Sequence, residues 1–208
     1  MSNPLSRPAA PPRSLRRGHW RRAPFAALDF ETTGLDYKRD AVVSFGVVPV
    51  RAGRVVVGES VHQLVTPAVP STAASMKVHQ ILPRDLERAP SLEESREILR
   101  AALKRRFLLT WYADVELAFL RKTFGGGRRA WARRTVDVRR LVLELEHADP
   151  EARFGLSATA KRYGVPVSSP HEALDDALVT AQLFLVLATR LEERGFGSVH
   201  SYLRLTRP

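Results

Sequence analysis

The chain has no cysteine. Disulfides, thiolate nucleophiles and cysteine-based zinc sites are therefore excluded, and the composition is compatible with a reducing cytoplasm, the expected location. No apolar stretch approaches the ~20 residues of a membrane-spanning helix, so no membrane partner is expected. No secretory leader is expected, because the basic N-terminus runs into prolines and arginines where an apolar segment would be needed. Acidic residues are outnumbered, 22 against 33 Lys and Arg, for a formal net charge of +11. Such a surface attracts a polyanion through phosphate contacts and counterion release. Lysine is scarce, however, with 5 against 28 arginines, so genomic base composition explains the basicity as well as a partner does. No internal repeat is visible.

What remains suits one domain. With 208 residues, 44% of them hydrophobic, the chain can bury a single sizeable core and leave a short extension. Residues 1–22 carry six Arg, four Pro and no acid, lack apolar periodicity, and read as a disordered basic tail ahead of a folded unit over 23–208. An electrostatic arm and an inert leader are both open readings of that tail.

From Pro24 onward, FAALDF, AVVSFGVVPV and VVVGESVHQLV predict three strands in an antiparallel meander, with a turn at Arg51–Arg54. SLEESREILRAALKR predicts a helix opened by a capping box from Ser91 to Glu94, with Leu92, Ile98, Leu99, Ala102 and Leu103 toward one side. RFLLTWY reads as a short buried strand. VELAFLRKTF reads as a helix N-capped by Asp114 and closed by Gly125–Gly127. A strand near RRTVDV, helices through VRRLVLELEHA and LSATAKRYG, and a long amphipathic helix over EALDDALVTAQLFLVLATRLEER complete the pattern. Three antiparallel strands plus two further strands, flanked by helices, give an α/β fold with a mixed central sheet.

The acidic residues that are present fall into a constellation. Asp29 and Glu31 end the first strand in DFETTGL and, being two apart, point to the same face. Two carboxylates held that close repel unless a cation or proton lies between them. Glu116 falls one turn into the helix after WYAD, and HEALDDA supplies His171 and Asp176. Oxygen-rich clusters of this kind suit hard divalent cations. On a continuous helix His171 would lie about 140° round the axis from Asp176, which places it in the preceding loop. A capping box from Ser169 to Glu172 with Pro170 at the first helical position is the competing arrangement.

These three segments, in this order, resemble the motifs of the DEDDh 3′–5′ exonucleases, a superfamily that includes the proofreading epsilon subunit of bacterial replicative polymerase. DFETTGL and HEALDDA match closely. In WYADVELAFL, Trp111 and Tyr112 stand where the family usually has His-Asn, and Glu116 replaces an aspartate. The resemblance spans about 25–187 and implies a ribonuclease H-like fold, hydrolysis of the 3′-terminal phosphodiester, and release of 5′-mononucleotides. It implies two Mg²⁺ or Mn²⁺ ions, with Asp29 bridging both, Glu31 and Asp176 on the ion bearing the water, and Glu116 serving the second. His171 becomes the general base, a residue type suited to taking a proton near neutral pH.

Substrate contacts are expected from Thr32, Thr33, Gly34 and Leu35 in the turn, from Phe119 by stacking, and from His79 in MKVHQI. The expected partner is nucleic acid with a free 3′ end, single-stranded DNA first. A replicative or repair role would need a polymerase or repair partner. An exoribonuclease and a catalytically weakened nucleic-acid-binding module are the alternatives.

Overall fold

The computed structural model describes residues 7–149, 152 and 154–206. Strand β1 (Phe25–Thr32) is buried on both faces because it lies mid-sheet with helices on either side. Its alternation divides the core in two. Phe25 and Ala27 pack in one buried cluster, and Ala26, Leu28 and Phe30 in the other. Asp29 and Glu31 share the parity of Phe25 and Ala27, so the strand's own pleat assigns them to one face.

Strand β2 (Val42–Arg51) runs antiparallel to β1, with Asp29 opposite Gly46 and a register shift after Glu31. The third expected strand is broken. Arg54–Val55 (β3) and Val61–Leu64 (β4) both pair with β2, separated by a 3₁₀ turn at Val57–Glu59. Val57, which a continuous strand could have packed, is 63% exposed in that turn. Strands β5 (Phe107–Thr110) and β6 (Thr135–Asp137) extend the other side in parallel, giving the order β3-β2-β1-β5-β6 with β4 also on β2. The mixed sheet flanked by helices is the ribonuclease H-like arrangement expected.

The helices are α1 (Ser14–Arg17), α2 (Ala73–His79), α3 (Pro83–Leu86), α4 (Leu92–Leu103), α5 (Ala113–Phe124), α6 (Arg128–Ala132), α7 (Val138–Glu146), α8 (Leu156–Arg162), α9 (Ala173–Glu193) and α10 (Val199–Leu205). The capping box forms at α4, where Ser91 Oγ accepts from the Glu94 amide and the Glu94 carboxylate accepts from the Ser91 amide. Leu99, Ala102 and Leu103 are buried, whereas Ile98 faces solvent. Helix α9 lies over β1 and β2 on the face shared by Asp29 and Glu31.

The basic leader departs from the expectation of disorder. Residues 1–6 lie outside the described residues, but residues 7–22 are packed on the domain. Trp20 is 2% exposed and meets Phe184 edge-on at 5.7 Å, and its indole N–H donates to Glu192 Oε2 at 2.8 Å. Arg21 lies over the Trp20 ring and also donates to Glu192. Arg134 Nη1 donates to the Pro8 carbonyl, and the Arg105 amide to that of Ala9. One large aromatic supplies burial that the segment's average composition conceals.

Candidate active site

The carboxylates of Asp29, Glu31 and Asp176 each place an oxygen within 4.8 Å of the other two. Asp29 and Glu31 come from the C-terminal half of β1, and Asp176 from the first turn of α9. Their meeting depends on Gly46. A Cβ built there would lie 2.2 Å from the Ala173 carbonyl oxygen and 2.4 Å from the Leu174 nitrogen, so only glycine lets the start of α9 rest against β2 beside Asp29.

Glu116 lies outside this tight triad but is electrically part of it. It is 3% exposed; burial, the largest cause, raises its pKa, with the charges of Asp137, Asp114 and Glu31 adding to it, and its own charge raises that of Asp29, again after burial. Asp29 keeps a partly exposed edge, yet its carboxyl group is enclosed enough for desolvation to outweigh the charges of Glu116, Glu31 and Asp176. Glu31 is pushed up to about 8 by burial and then Asp176. Asp176 is also raised by burial, offset by the hydrogen bond from the His171 amide and by the charge of that residue. Every member of the group is thus strained toward its protonated form, the electrostatic signature of a pit that wants positive charge.

Two oxygens give the same answer. Glu116 Oε2 and Asp176 Oδ1 are buried with no hydrogen-bonding partner among the described residues. An ionised carboxylate only accepts, so such atoms need a donor or a cation. Oxygen donors from β1 and α9 around one point fit a hard divalent ion, with Glu116 of α5 within electrical reach of it.

Helix α5 is held for this task by a residue that sequence reasoning did not single out. Asp137, at the end of β6, accepts from the Ala113 amide at 3.2 Å and from the Arg140 amide at 3.2 Å. Its carboxyl group is raised to about 6 by burial, against those hydrogen bonds and the nearby Arg139 and Arg140. Asp137, rather than Asp114, therefore caps α5, and Asp114 is exposed within the first turn and paired with Arg128. The signal was present as a carboxylate directly after an apolar strand, the pattern already used for Asp29.

His171 occupies the loop before α9, as expected, on a turn residue with φ +65°. Its amide donates to Asp176 Oδ2 at 3.2 Å. The Ser169–Glu172 capping box does not form. Instead the Ser168 and Ser169 amides donate to Asp175 Oδ2, and α9 starts at Ala173. The loop is thus pinned by backbone bonds while the exposed imidazole faces a depression of about 540 Å³ shared with His62 and His79. His79 is buried, and its Nδ1 accepts from the Ile81 amide at 3.0 Å. Burial lowers its pKa, and because Nδ1 accepts, the neutral ring carries its proton on Nε2, a buried donor without a partner among the described residues at the edge of that depression.

The turn after Glu31 divides into scaffold and surface. Thr33 is fully buried, with its hydroxyl donating to Asp40 Oδ1 and accepting from the Ala41 amide. Thr32 donates to the Gly34 carbonyl, and a Cβ on Gly34 would meet the Asp40 carboxylate at 2.5 Å. These contacts shape the turn, and they occupy the hydroxyl of Thr33, one of the residues expected to contact substrate. Leu35 projects at 74% exposure. Phe119 is 1% exposed, packed against Phe30 and Tyr37, and is a core residue rather than the base-stacking ring expected. Tyr37, 43% exposed and edge-on to Phe119, is the aromatic presented to solvent here. Its hydroxyl is raised by burial and then by Asp114 and Glu116, which places it within electrical reach of the acidic group.

Known proteins are similar to this chain in sequence and fold. The RNase T-type family described as Exonuclease matches residues 26–184. The chain is 30% identical to the PolC-type DNA polymerase III of Thermotoga maritima over 187 residues, covering 88% of this chain and 13% of that protein. It is 31% identical to a DNA polymerase III subunit epsilon-like protein of Rhodobacter capsulatus, covering 86% of this chain and 26% of that one. The chain thus spans 13% and 26% of the length of these two relatives. Among solved structures, exonuclease X in complex with 5′ overhanging duplex DNA superposes with a TM-score of 0.67 at 20% identity, covering 88% of this chain and 99% of that one. With the family match extending over three-quarters of its length and the acidic cluster inside that match, the chain belongs to the RNase T-type, DEDDh exonuclease family.

Proposed function

We propose that the protein removes nucleotides from the 3′ end of DNA, releasing 5′-mononucleotides, with Asp29, Glu31, Glu116 and Asp176 as the acidic centre and His171 as general base. The observation that carries this reading is the triad of carboxylates within 4.8 Å, in which Asp176 Oδ1, like Glu116 Oε2 on α5, is buried without a hydrogen-bonding partner among the described residues. Mg²⁺ or Mn²⁺ ions held by these four residues would activate water and neutralise charge on the scissile phosphate. The 3′ polarity follows from the family resemblance, as does a pair of ions.

The remaining chemistry belongs to the chain. His171 stands outside the carboxylate pit on a pinned loop, so its ring can swing to meet a water attacking the terminal phosphorus and take its proton. His79 offers its Nε2–H to an oxygen of the terminal nucleotide. Leu35 and Tyr37 border the entry, where an apolar wedge and a ring can separate and support the last bases. Glu116 in place of aspartate keeps the charge, and its burial beside Asp29 supports a working ligand over a decayed one.

The test is purified protein with 5′-labelled single-stranded DNA or RNA and Mg²⁺, Mn²⁺ or chelator. Stepwise shortening from the 3′ end that stops with chelator is expected, faster on DNA. Retention of oligonucleotide without shortening would leave a binding module instead.

Two further outcomes follow from the geometry. In metal-free protein, the raised carboxyl groups bind more protons folded than unfolded, so stability should fall as pH rises from about 4.5, the ordinary value, to about 8, where Glu31 titrates. Saturating Mn²⁺ should therefore raise the melting temperature more at pH 8 than at pH 6. Equal metal shifts at both pH values in a thermal scan would contradict the site. Gly46→Val should displace α9, costing about 1–3 kcal/mol from overpacking and about 10²-fold in rate through misplaced Asp176. Urea denaturation and initial rates read the two effects, and a parent-like rate would remove Gly46 from the account.

A further inference from the structure

At the opposite end of the sheet from the acidic centre lies a groove of about 690 Å³ with the contrary charge. It is bounded by the leader, by α6 and by α10, and Phe107 at the start of β5 forms part of its floor. Arg7, Arg13, Arg17 and Arg133 line it and are exposed. No Asp or Glu lines it, and none of these four arginines forms an ion pair with a carboxylate among the described residues.

The groove is built rather than incidental. Arg134 beneath it is buried and donates to the carbonyls of Pro8, Leu103 and Arg106, tying the leader to the sheet end. Burial, and then the nearby Arg7, push the Arg134 guanidinium down to about 10, so positive charge is already crowded there and still present at neutral pH. Folding the leader against the domain collects like charges that an unfolded tail would keep apart. That arrangement is costly unless an anion joins it.

We propose that this groove binds the phosphodiester backbone of nucleic acid upstream of the 3′ end being cut. Guanidinium forks suit phosphate oxygens, and several of them along a groove suit a chain of phosphates better than a single ion. The seven residues of β1 from Phe25 to Glu31 span about 20 Å, so a strand reaching both sites must extend several nucleotides beyond the terminal one. The placement upstream of a cleaved end rests on the exonuclease reading, whereas the binding itself does not.

The experiment compares the full chain with its Arg13→Ala, Arg17→Ala, Arg133→Ala triple variant. Fluorescence anisotropy in chelator, with a labelled 20-nucleotide single strand, reads binding apart from hydrolysis. The variant should bind at least about tenfold more weakly at low salt, and the slope of log affinity against log salt should flatten by about 2, three lost contacts at about 0.7 each. Hydrolysis of a dinucleotide, too short to reach the groove, should stay at the parent rate. Unchanged 20-mer affinity would overturn the proposal, as would polyglutamate competing as well as DNA at equal charge. Loss of dinucleotide hydrolysis in the parent would instead count against the exonuclease reading, leaving the anisotropy result to decide the groove.

Discussion

Asp29→Asn is expected to lower hydrolysis by about 10³-fold or more, at the upper end of what one preorganised electrostatic group contributes, while leaving the metal-free protein at pH 8 at least as stable as the parent. Both effects have one cause. The Asp29 carboxyl group is enclosed among Glu116, Glu31 and Asp176, which all oppose its ionisation. Without metal, a neutral amide of the same shape removes a repelled and desolvated anion. With metal, the same change removes the ligand on which the others centre. A merely structural aspartate would instead lose stability and activity together. Rates in Mn²⁺ and thermal scans in chelator separate the cases, and a variant within tenfold of the parent rate would end the central role of Asp29.

The second large effect is at His171. His171→Ala should depress turnover by about 10²–10⁴-fold, the usual worth of a general base, with metal affinity nearly unchanged. The reason is its place: the residue touches Asp176 through its amide, which alanine keeps, and only the exposed ring is lost. Because the space is open to solvent, free imidazole should restore part of the rate. Rescue by imidazole, with Mn²⁺ affinity equal to the parent by calorimetry, identifies a proton acceptor. A near-normal rate, or a loss matched by weakened Mn²⁺ binding, would assign His171 elsewhere.

Much of this arrangement was legible in the chain because it is written in short-range periodicity. The two-residue spacing of Asp29 and Glu31 needs only the pleat of a strand, and the burial of FAALDF on both faces marks a central one. The capping box at Ser91 is equally local. The features that escaped depend on distant partners. Phe119 satisfies the spacing of an exposed helix residue one turn from Glu116, and only the packing of Phe30 and Tyr37 shows that it is core. Gly46 looks like a weak point in a valine-rich strand until α9, more than a hundred residues later, is laid against it. Trp20 is hidden among arginines and prolines, and its acceptor Glu192 lies at the far end of the chain. Asp114 fitted the helix start by local capping rules, but Asp137 arrives from the next strand and takes the amide first.

The most direct measurement is anomalous diffraction from crystals grown with Mn²⁺ and a 5′-mononucleotide. The account predicts manganese density among the carboxylates of Asp29, Glu31 and Asp176, with Glu116 facing the same pit and the nucleotide phosphate against the metal. Manganese bound only elsewhere, with these carboxylates still protonated and facing one another, would contradict it.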